Sequence, residues 1–176
     1  MAGMTQLEPD SPTALSSQLS WPATVYPYRA GVIGGALGGL LMVVVAVLYG
    51  LISGRGIWLP VNLIGATIIR DLQTATFEQL TQFHASAFIA GLVLHGALAI
   101  GLGFIFALLL PTFPGRPLLW AVTIGTLLWA MASMLILPLL NPVMHQYVDW
   151  PSFIIAHLLY GVMLGWWIGR TPKVKA

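Results

Sequence analysis

The chain has 176 residues, of which 58% are hydrophobic and 7% are charged, and its net charge is +2. Soluble globular domains carry about 25% charged residues, so this composition cannot cover a water-facing surface, and the solvent must be a lipid bilayer. The scattered basic residues form no patch for nucleic acid, and the absence of cysteine excludes disulfides, thiolate metal sites and covalently attached c-type haem.

The chain begins with a polar, proline-rich stretch, residues 1–28, which lacks the basic and apolar regions of a signal peptide. Such a composition predicts a disordered tail unless a partner holds it. The first predicted span, residues 30–52, has no charged side chain. Its glycines include Gly34 and Gly38, and small residues at this spacing let a neighbouring helix approach closely.

A long connection follows the first span. Within it, the apolar stretch Val61–Ile69 predicts a short helix lying at the membrane interface. Thr76 and Gln79 have the spacing of a capping box, which predicts that the next helix begins there. A helix from Thr76 to Leu110 would be about 52 Å long against a hydrocarbon core of about 30 Å. The second span is therefore predicted over residues 85–110, with the preceding turns in water.

The third predicted span covers residues 118–137 and ends at Pro138. The fourth covers residues 152–169, and Asp149 is well placed to cap its amino end. Residues 171–176 form a basic carboxyl tail.

The four spans show a weak internal repeat. In each half a span leads to a Leu-Pro motif that ends in asparagine, and the following span carries one histidine. The two motifs are Leu59-Pro60-Val61-Asn62 and Leu137-Pro138-Leu139-Leu140-Asn141. This pattern is either a coincidence or a duplicated helix pair, whose copies would be related by an axis along the membrane normal.

The predicted fold is an all-α integral membrane protein. Residues 29–170 would form a four-transmembrane-helix bundle, with a short interfacial helix between the first two spans. Basic residues are more numerous on the side that holds both chain ends, which favours a bacterial inner-membrane protein with both termini in the cytoplasm. The five on that side are Arg29, Arg116, Arg170, Lys173 and Lys175, and the two on the other are Arg55 and Arg70.

Two histidines, His95 and His157, lie within predicted spans, and ionisable residues at that depth are often functional. They could bind haem b between the second and fourth spans, contact a quinone or a proton, or simply donate a hydrogen bond to a facing carbonyl. By helical rise they lie about 15 Å and 8 Å below the starts of their spans, so they are not clearly level. Each begins a stripe of small residues on one helix face, which favours helix packing: Ala99 and Gly103 after His95, and Gly161, Gly165 and Gly169 after His157.

A second group of polar residues is predicted between the spans, on the side away from the chain ends. Histidine with carboxylates can bind metal, but no short fixed spacing supports a metal site, and capping, hydration or partner contact are the alternatives. The group is Asn62, Asp71, Glu78, His84, Asn141, His145 and Asp149. No Asp, Glu, Lys or Arg lies within a span, which argues against active transport, and no catalytic motif is present, so we predict that the protein is not an enzyme.

Residues 90–170 resemble a group of small bacterial four-span inner-membrane proteins, and remotely the YagU-type membrane proteins. The resemblance is carried by His95, Leu110-Pro111, Leu137-Pro138, Asn141-Pro142, Asp149-Trp150-Pro151, Phe153 and His157 with Gly161. It implies an accessory subunit of a respiratory assembly such as alternative complex III. The long polar amino tail departs from the YagU pattern.

The sequence thus favours a non-catalytic accessory subunit of a larger bacterial electron-transport complex, with other membrane subunits and lipid as partners. The alternatives are a haem- or quinone-binding electron-transfer subunit and a small transporter or channel. No resident cofactor is expected under the first hypothesis.

Overall fold

The computed structural model describes residues 22–176. Four helical segments in it are long and apolar enough to cross a membrane, and the only sheet in this part of the chain is a two-stranded ribbon. The predicted fold class, an all-α bundle of four transmembrane helices, is confirmed. The four segments are Tyr28–Ile52, Ala85–Thr112, Pro117–Leu140 and Trp150–Arg170.

The elements follow one another with short connections. The α-helices are α1 (Tyr28–Ile52), α2 (Trp58–Gly65), α3 (Phe77–Leu80), α4 (Ala85–Leu109), α5 (Pro117–Met131), α6 (Leu137–Leu140), α7 (Pro142–Tyr147) and α8 (Trp150–Arg170). Two 3-10 turns (Arg70–Thr74 and Leu110–Thr112), one π-helical turn (Ala132–Ile136) and the strands β1 (Thr24–Val25) and β2 (Val174–Lys175) complete the fold.

The spanning helices pack as a row in the order α4, α1, α8, α5. The first span, α1, lies between α4 and α8, and α5 packs along α8. A twofold axis along the membrane normal would relate α1 to α5 and α4 to α8. The contact between α1 and α8 would then be matched by a contact between α5 and α4, but α4 and α5 do not pack along each other. The helix pairs α1–α4 and α5–α8 therefore meet mainly along α1 and α8.

Both ends of the described chain meet on one side, which we call the terminal side. There β1 pairs antiparallel with β2, Thr24 opposite Lys175 and Val25 opposite Val174. These residues fall in the two tails predicted from the sequence, whose remainder, residues 1–21, lies outside the described part of the chain. The opposite side, with α2, α3, α6 and α7, is called the loop side.

The loop side has its own apolar core, separate from the one between the spans. Its buried residues come from α2, the connection after it, and the adjoining ends of α4, α6 and α7: Leu59, Leu63, Ala66, Leu72, Leu80, Ala87, Leu137, Val143 and Met144. Helix α2 begins three residues before the predicted interfacial helix. It is packed closely on α4, because a Cβ on Gly65 would lie 2.6 Å from the Ala87 carbonyl oxygen.

The prediction of one continuous helix from Thr76 to Leu110 is wrong. The capping box forms as expected: the Gln79 N–H donates to Thr76 Oγ1 at 3.3 Å, and the Thr76 N–H donates to Gln79 Oε1 at 2.8 Å. The helix nevertheless ends at Leu80. The buried Asn62 amide donates to the carbonyl oxygens of Leu80 and Gln82 at 2.8 and 2.7 Å, so these two acceptors are taken away from a continuing helix.

The third span runs three residues beyond its predicted end at residue 137, reaching Leu140. Pro138 has no N–H, and its ring would crowd the carbonyl group four residues before it in a regular helix. A wider π-helical turn precedes it, in which the Leu137 N–H donates to the Ala132 carbonyl oxygen five residues back. Because of the π turn, the helical span continues beyond Pro138, the residue that was predicted to end it.

Candidate functional site: the helix contacts around His95 and His157

The contact between α1 and α4 is made of backbone against backbone. A Cβ on Gly35 would clash with the Ala99 carbonyl oxygen, and a Cβ on Gly103 would lie 2.8 Å from the Gly35 Cα. Such a distance is shorter than real Cβ atoms show, so only glycine fits at these crossings. Ala99 and Gly103, which the sequence predicts for helix packing, both lie in this contact.

The neighbouring stripe on α1 receives α8. A Cβ on Gly34 would lie 3.0 Å from Leu164 Cδ1, and a Cβ on Gly38 would lie 2.7 Å from Tyr160 Cδ2. The Tyr160 ring therefore occupies the space that Gly38 leaves open. Its hydroxyl donates to the Ala99 carbonyl oxygen of α4 at 2.7 Å, so that α1, α4 and α8 meet at one point.

His95 lies on the edge of this three-helix contact and is half-buried. Its Nε2 is 3.0 Å from the Gly39 carbonyl oxygen of α1. Because a carbonyl oxygen only accepts, Nε2 carries the proton and donates. This is the interhelical hydrogen bond that was one of the alternatives for an intramembrane histidine.

His157 is also half-buried, but its ring bonds within its own helix. Its Nδ1–H donates to the Phe153 carbonyl oxygen at 2.8 Å, and the two rings pack edge to face with centroids 4.5 Å apart. The backbone of His157 contacts α5, because a Cβ on Gly125 would lie 3.2 Å from the His157 carbonyl oxygen.

The structure brings the two histidines to nearly the same level. His95 precedes Ala99 by four residues and His157 precedes Tyr160 by three, and the Tyr160 hydroxyl bonds to Ala99. Both histidines therefore lie about one turn from this bond, on its loop side. Their unequal distances from the predicted span starts do not decide their relative level, because that level depends on where the two helices touch.

Two hydrogen bonds restrict how His95 and His157 could hold haem b. The His95 Nε2 is engaged by Gly39, and the bond from Tyr160 to Ala99 holds α4 and α8 together one turn away. Each histidine retains a second ring nitrogen without a hydrogen bond to the described residues, so binding through that nitrogen stays a prediction.

Helix α5 is held to α8 by two of the predicted glycines. A Cβ on Gly161 would lie 2.7 Å from the Ala121 carbonyl oxygen, and a Cβ on Gly165 would lie 2.6 Å from Leu118 Cα. Gly169, predicted to continue this stripe, is exposed, and a Cβ there would meet nothing within 4 Å. The reason is that α5 begins at Pro117, so the last turn of α8 extends beyond it.

On the loop side, two buried asparagines hold the connections together. The Asn141 Nδ2 donates to the Leu63 carbonyl oxygen at 2.7 Å and to Thr67 Oγ1 at 2.8 Å, and its Oδ1 accepts the Met144 N–H at 3.0 Å. Asn62, described above, holds the turn after α3. Both asparagines end the Leu-Pro motifs of the internal repeat, and that repeat was the only sequence signal for their equivalent roles.

The other residues of the predicted loop-side group serve local structure or face outward. Asp149 Oδ2 accepts the Ser152 N–H at 2.9 Å and caps α8 as predicted. The His84 Nε2–H donates to the Gln79 carbonyl oxygen at 2.9 Å, and the His145 ring packs against Trp150. Asp71 and Glu78 are exposed, and residues 22–176 contain no group of three or more metal-ligating side chains.

One polar group near the histidines was not anticipated from the sequence. The Trp129 indole N–H is buried and has no acceptor among the described residues. Trp129 lies on α5 one turn from Gly125, the residue that contacts His157. Tryptophan is common in membrane spans, so its position along the chain carried no signal for an unpaired donor.

Comparison of the chain with protein-family models, curated proteins and solved structures finds no match.

Proposed function

We propose that this protein is a non-catalytic accessory subunit, packed against a helix of a partner protein in a larger membrane complex. The observation that carries the proposal is the outward face of α4. A Cβ at Gly96 or Gly101 would meet no atom within 4 Å, whereas Gly91 and Gly103 are in contact with neighbouring elements. Gly101 and the exposed Ala97 are four residues apart and therefore lie on one face of α4, which we call the outer small-residue face.

Glycine in a helix interior is less stable than alanine by about 1 kcal/mol. At the outer small-residue face no contact within this chain requires glycine. In membranes, small residues on a helix face let a second backbone approach. Large apolar side chains surround the face and are exposed in the isolated chain, among them Val93 at 62% and Leu98 at 55%. A partner helix would cover both the small residues and these side chains.

The polar side chains of the spans support a non-catalytic role. The ring N–H groups of His95 and His157 and the hydroxyls of Tyr160, Ser133 and Thr126 each donate to a backbone carbonyl oxygen of this chain. Their hydrogen bonds hold helices or turns in place, which leaves these donors unavailable to a substrate.

The kind of complex is proposed from the resemblance alone, which implies a respiratory assembly such as alternative complex III. The excess of basic residues on the terminal side supports a bacterial inner-membrane location with both termini in the cytoplasm.

The test is purification from native membranes in mild detergent. We expect an integral-membrane partner in fixed stoichiometry with the wild-type chain, and loss of that partner from Gly101→Leu, whose side chain would occupy the outer small-residue face. The matched control is Leu119→Phe, which enlarges a side chain that is 66% exposed on α5. A stable lone monomer, or equal partner recovery from both variants, would contradict the proposal.

A quinone-binding subunit is the second candidate, favoured by the buried Trp129 N–H. A quinone carbonyl oxygen would accept this hydrogen bond, and Gly125, one turn away on α5, faces the backbone of His157 on α8. Quinone extracted from the purified assembly should fall to background in Trp129→Phe, and retention of quinone by that variant counts against this candidate. The haem alternative is tested by the absorption spectrum of the same assembly, in which the absence of a Soret band would exclude it.

A further inference from the structure

The described charged side chains are distributed unevenly between the two sides of the molecule, and the loop side carries only two of the described cations, Arg55 and Arg70. All three acidic residues among residues 22–176, Asp71, Glu78 and Asp149, lie on the loop side. The terminal side carries five cations, all exposed: Arg29, Arg116, Arg170, Lys173 and Lys175. This uneven distribution gives the terminal side a positive potential, and no described acidic side chain lies on that side to offset it.

Two of these cations are held by aromatic rings. The Arg170 guanidinium carbon lies 4.5 Å from the centroid of the Trp166 ring, and Lys173 Nζ lies 5.1 Å from the centroid of the Tyr26 ring. Contacts of this kind attract the cation to the face of the ring and so favour one position of a long side chain. The β1–β2 ribbon positions Lys173, because it ties the chain after α8 to the segment before α1.

Beside Lys173 lies an open groove of about 240 Å³, between the ribbon and the turn that joins α4 to α5. Its accessible surface is more polar than apolar, although six of its lining residues carry apolar side chains, and Lys173 is the only charged residue among the described residues that line it. The apolar wall residues are Pro22, Val25, Leu110, Pro111, Phe113 and Pro117. A groove that presents both apolar and polar surface beside one ammonium group matches a molecule that joins hydrocarbon to an anion.

We propose that this groove binds an anionic phospholipid, with its phosphate at Lys173 and its glycerol and upper acyl region along Phe113 and Leu110. A phospholipid is the occupant that the location favours, because the groove lies at the end of the spans, where headgroups meet water. The surrounding cations favour a lipid with net negative charge over a zwitterionic one. Each nearby cation should contribute about a fivefold preference.

The experiment is a competition between dioleoylphosphatidylglycerol and dioleoylphosphatidylcholine for the purified full-length chain, read by native mass spectrometry. We expect at least one tightly retained phosphatidylglycerol, and about a fivefold loss of that preference in Lys173→Gln. Lys173→Arg should retain the preference. The matched control is Arg55→Gln, which removes one exposed cation from the loop side and should leave the preference unchanged.

Three outcomes would overturn the proposal. Equal retention of the two lipids would show that the surrounding cations do not select an anionic lipid. An equal effect of Lys173→Gln and Arg55→Gln would show that the lipid does not bind at Lys173. Displacement of the lipid by inorganic phosphate, but not by chloride at the same ionic strength, would mean that a free anion is the ligand. Lys173 is exposed, and an unfolding curve that matches the wild type shows that Lys173→Gln remains folded.

Discussion

Replacing Gly161 with alanine should weaken the attachment of α5 to the rest of the bundle. The new Cβ would lie 2.7 Å from the Ala121 carbonyl oxygen and 2.9 Å from Val122 Cα, where ordinary contact begins at 3.4 Å. Both neighbours are backbone atoms and cannot rotate away, so α5 and α8 must separate by about 0.5–0.7 Å at this crossing. Overpacking of this kind costs about 1–3 kcal/mol.

Alanine also gains about 1 kcal/mol of helix propensity over glycine, and this gain offsets part of the clash. Gly169→Ala is the control, because it has the same propensity change on the same helix but meets nothing within 4 Å. We therefore expect Gly169→Ala to be neutral or slightly stabilising, and Gly161→Ala to be less stable than Gly169→Ala by about 1–3 kcal/mol.

The measurement is reversible unfolding in mixed micelles by increasing the mole fraction of denaturing detergent, followed by far-ultraviolet circular dichroism. The difference between the two variants removes contributions that both share. If Gly161→Ala were as stable as Gly169→Ala, the close contact between α5 and α8 would be refuted.

Three further predictions use the same unfolding measurement or hydrogen exchange. Asn141→Ala should destabilise the protein by about 2–4 kcal/mol, because it removes a helix cap and two hydrogen bonds donated by a buried amide. Asp149→Ala removes only a cap and should cost about 1 kcal/mol, so equal losses would contradict this assignment. Tyr160→Phe should cost about 0.6–1.7 kcal/mol, and an unchanged midpoint would show that its bond to Ala99 adds no stability. Pro138→Ala supplies an N–H for a regular helix and should slow hydrogen exchange around the π turn; exchange as fast as in the wild type would mean that Pro138 is not the cause of that turn.

The spans and the helix starts could be predicted from local sequence. Long stretches without charge specify a transmembrane helix, and the cap formed by Asp149 and the capping box of Thr76 with Gln79 depend on residues only three positions apart. These signals need no knowledge of what lies across the bundle. They account for the correct fold class and for the observed start of α3.

Apart from the end of the third span, the errors share one physical cause, which is that the deciding atom lies far away in the sequence. Helix α3 ends because Asn62, 18 and 20 residues earlier, takes the carbonyl groups of Leu80 and Gln82. Gly161 and Gly169 belong to one stripe of glycines on the same helix. They differ in whether α5 extends to their level. The level of the two histidines likewise depends on which helices touch.

The row order has a consequence for biosynthesis. The central contact joins α1 to α8, so the helix made first in the described chain receives one of its two principal neighbours only after α8 has left the ribosome. The residues between Ile52 and Trp150 take roughly 5–20 s to translate at about 5–20 residues per second. During that time α1 and α4 can assemble as a pair, whereas α5 is in the membrane without α8, the helix on which it packs. An insertion chaperone that shields the glycine faces of α1 would act in that interval.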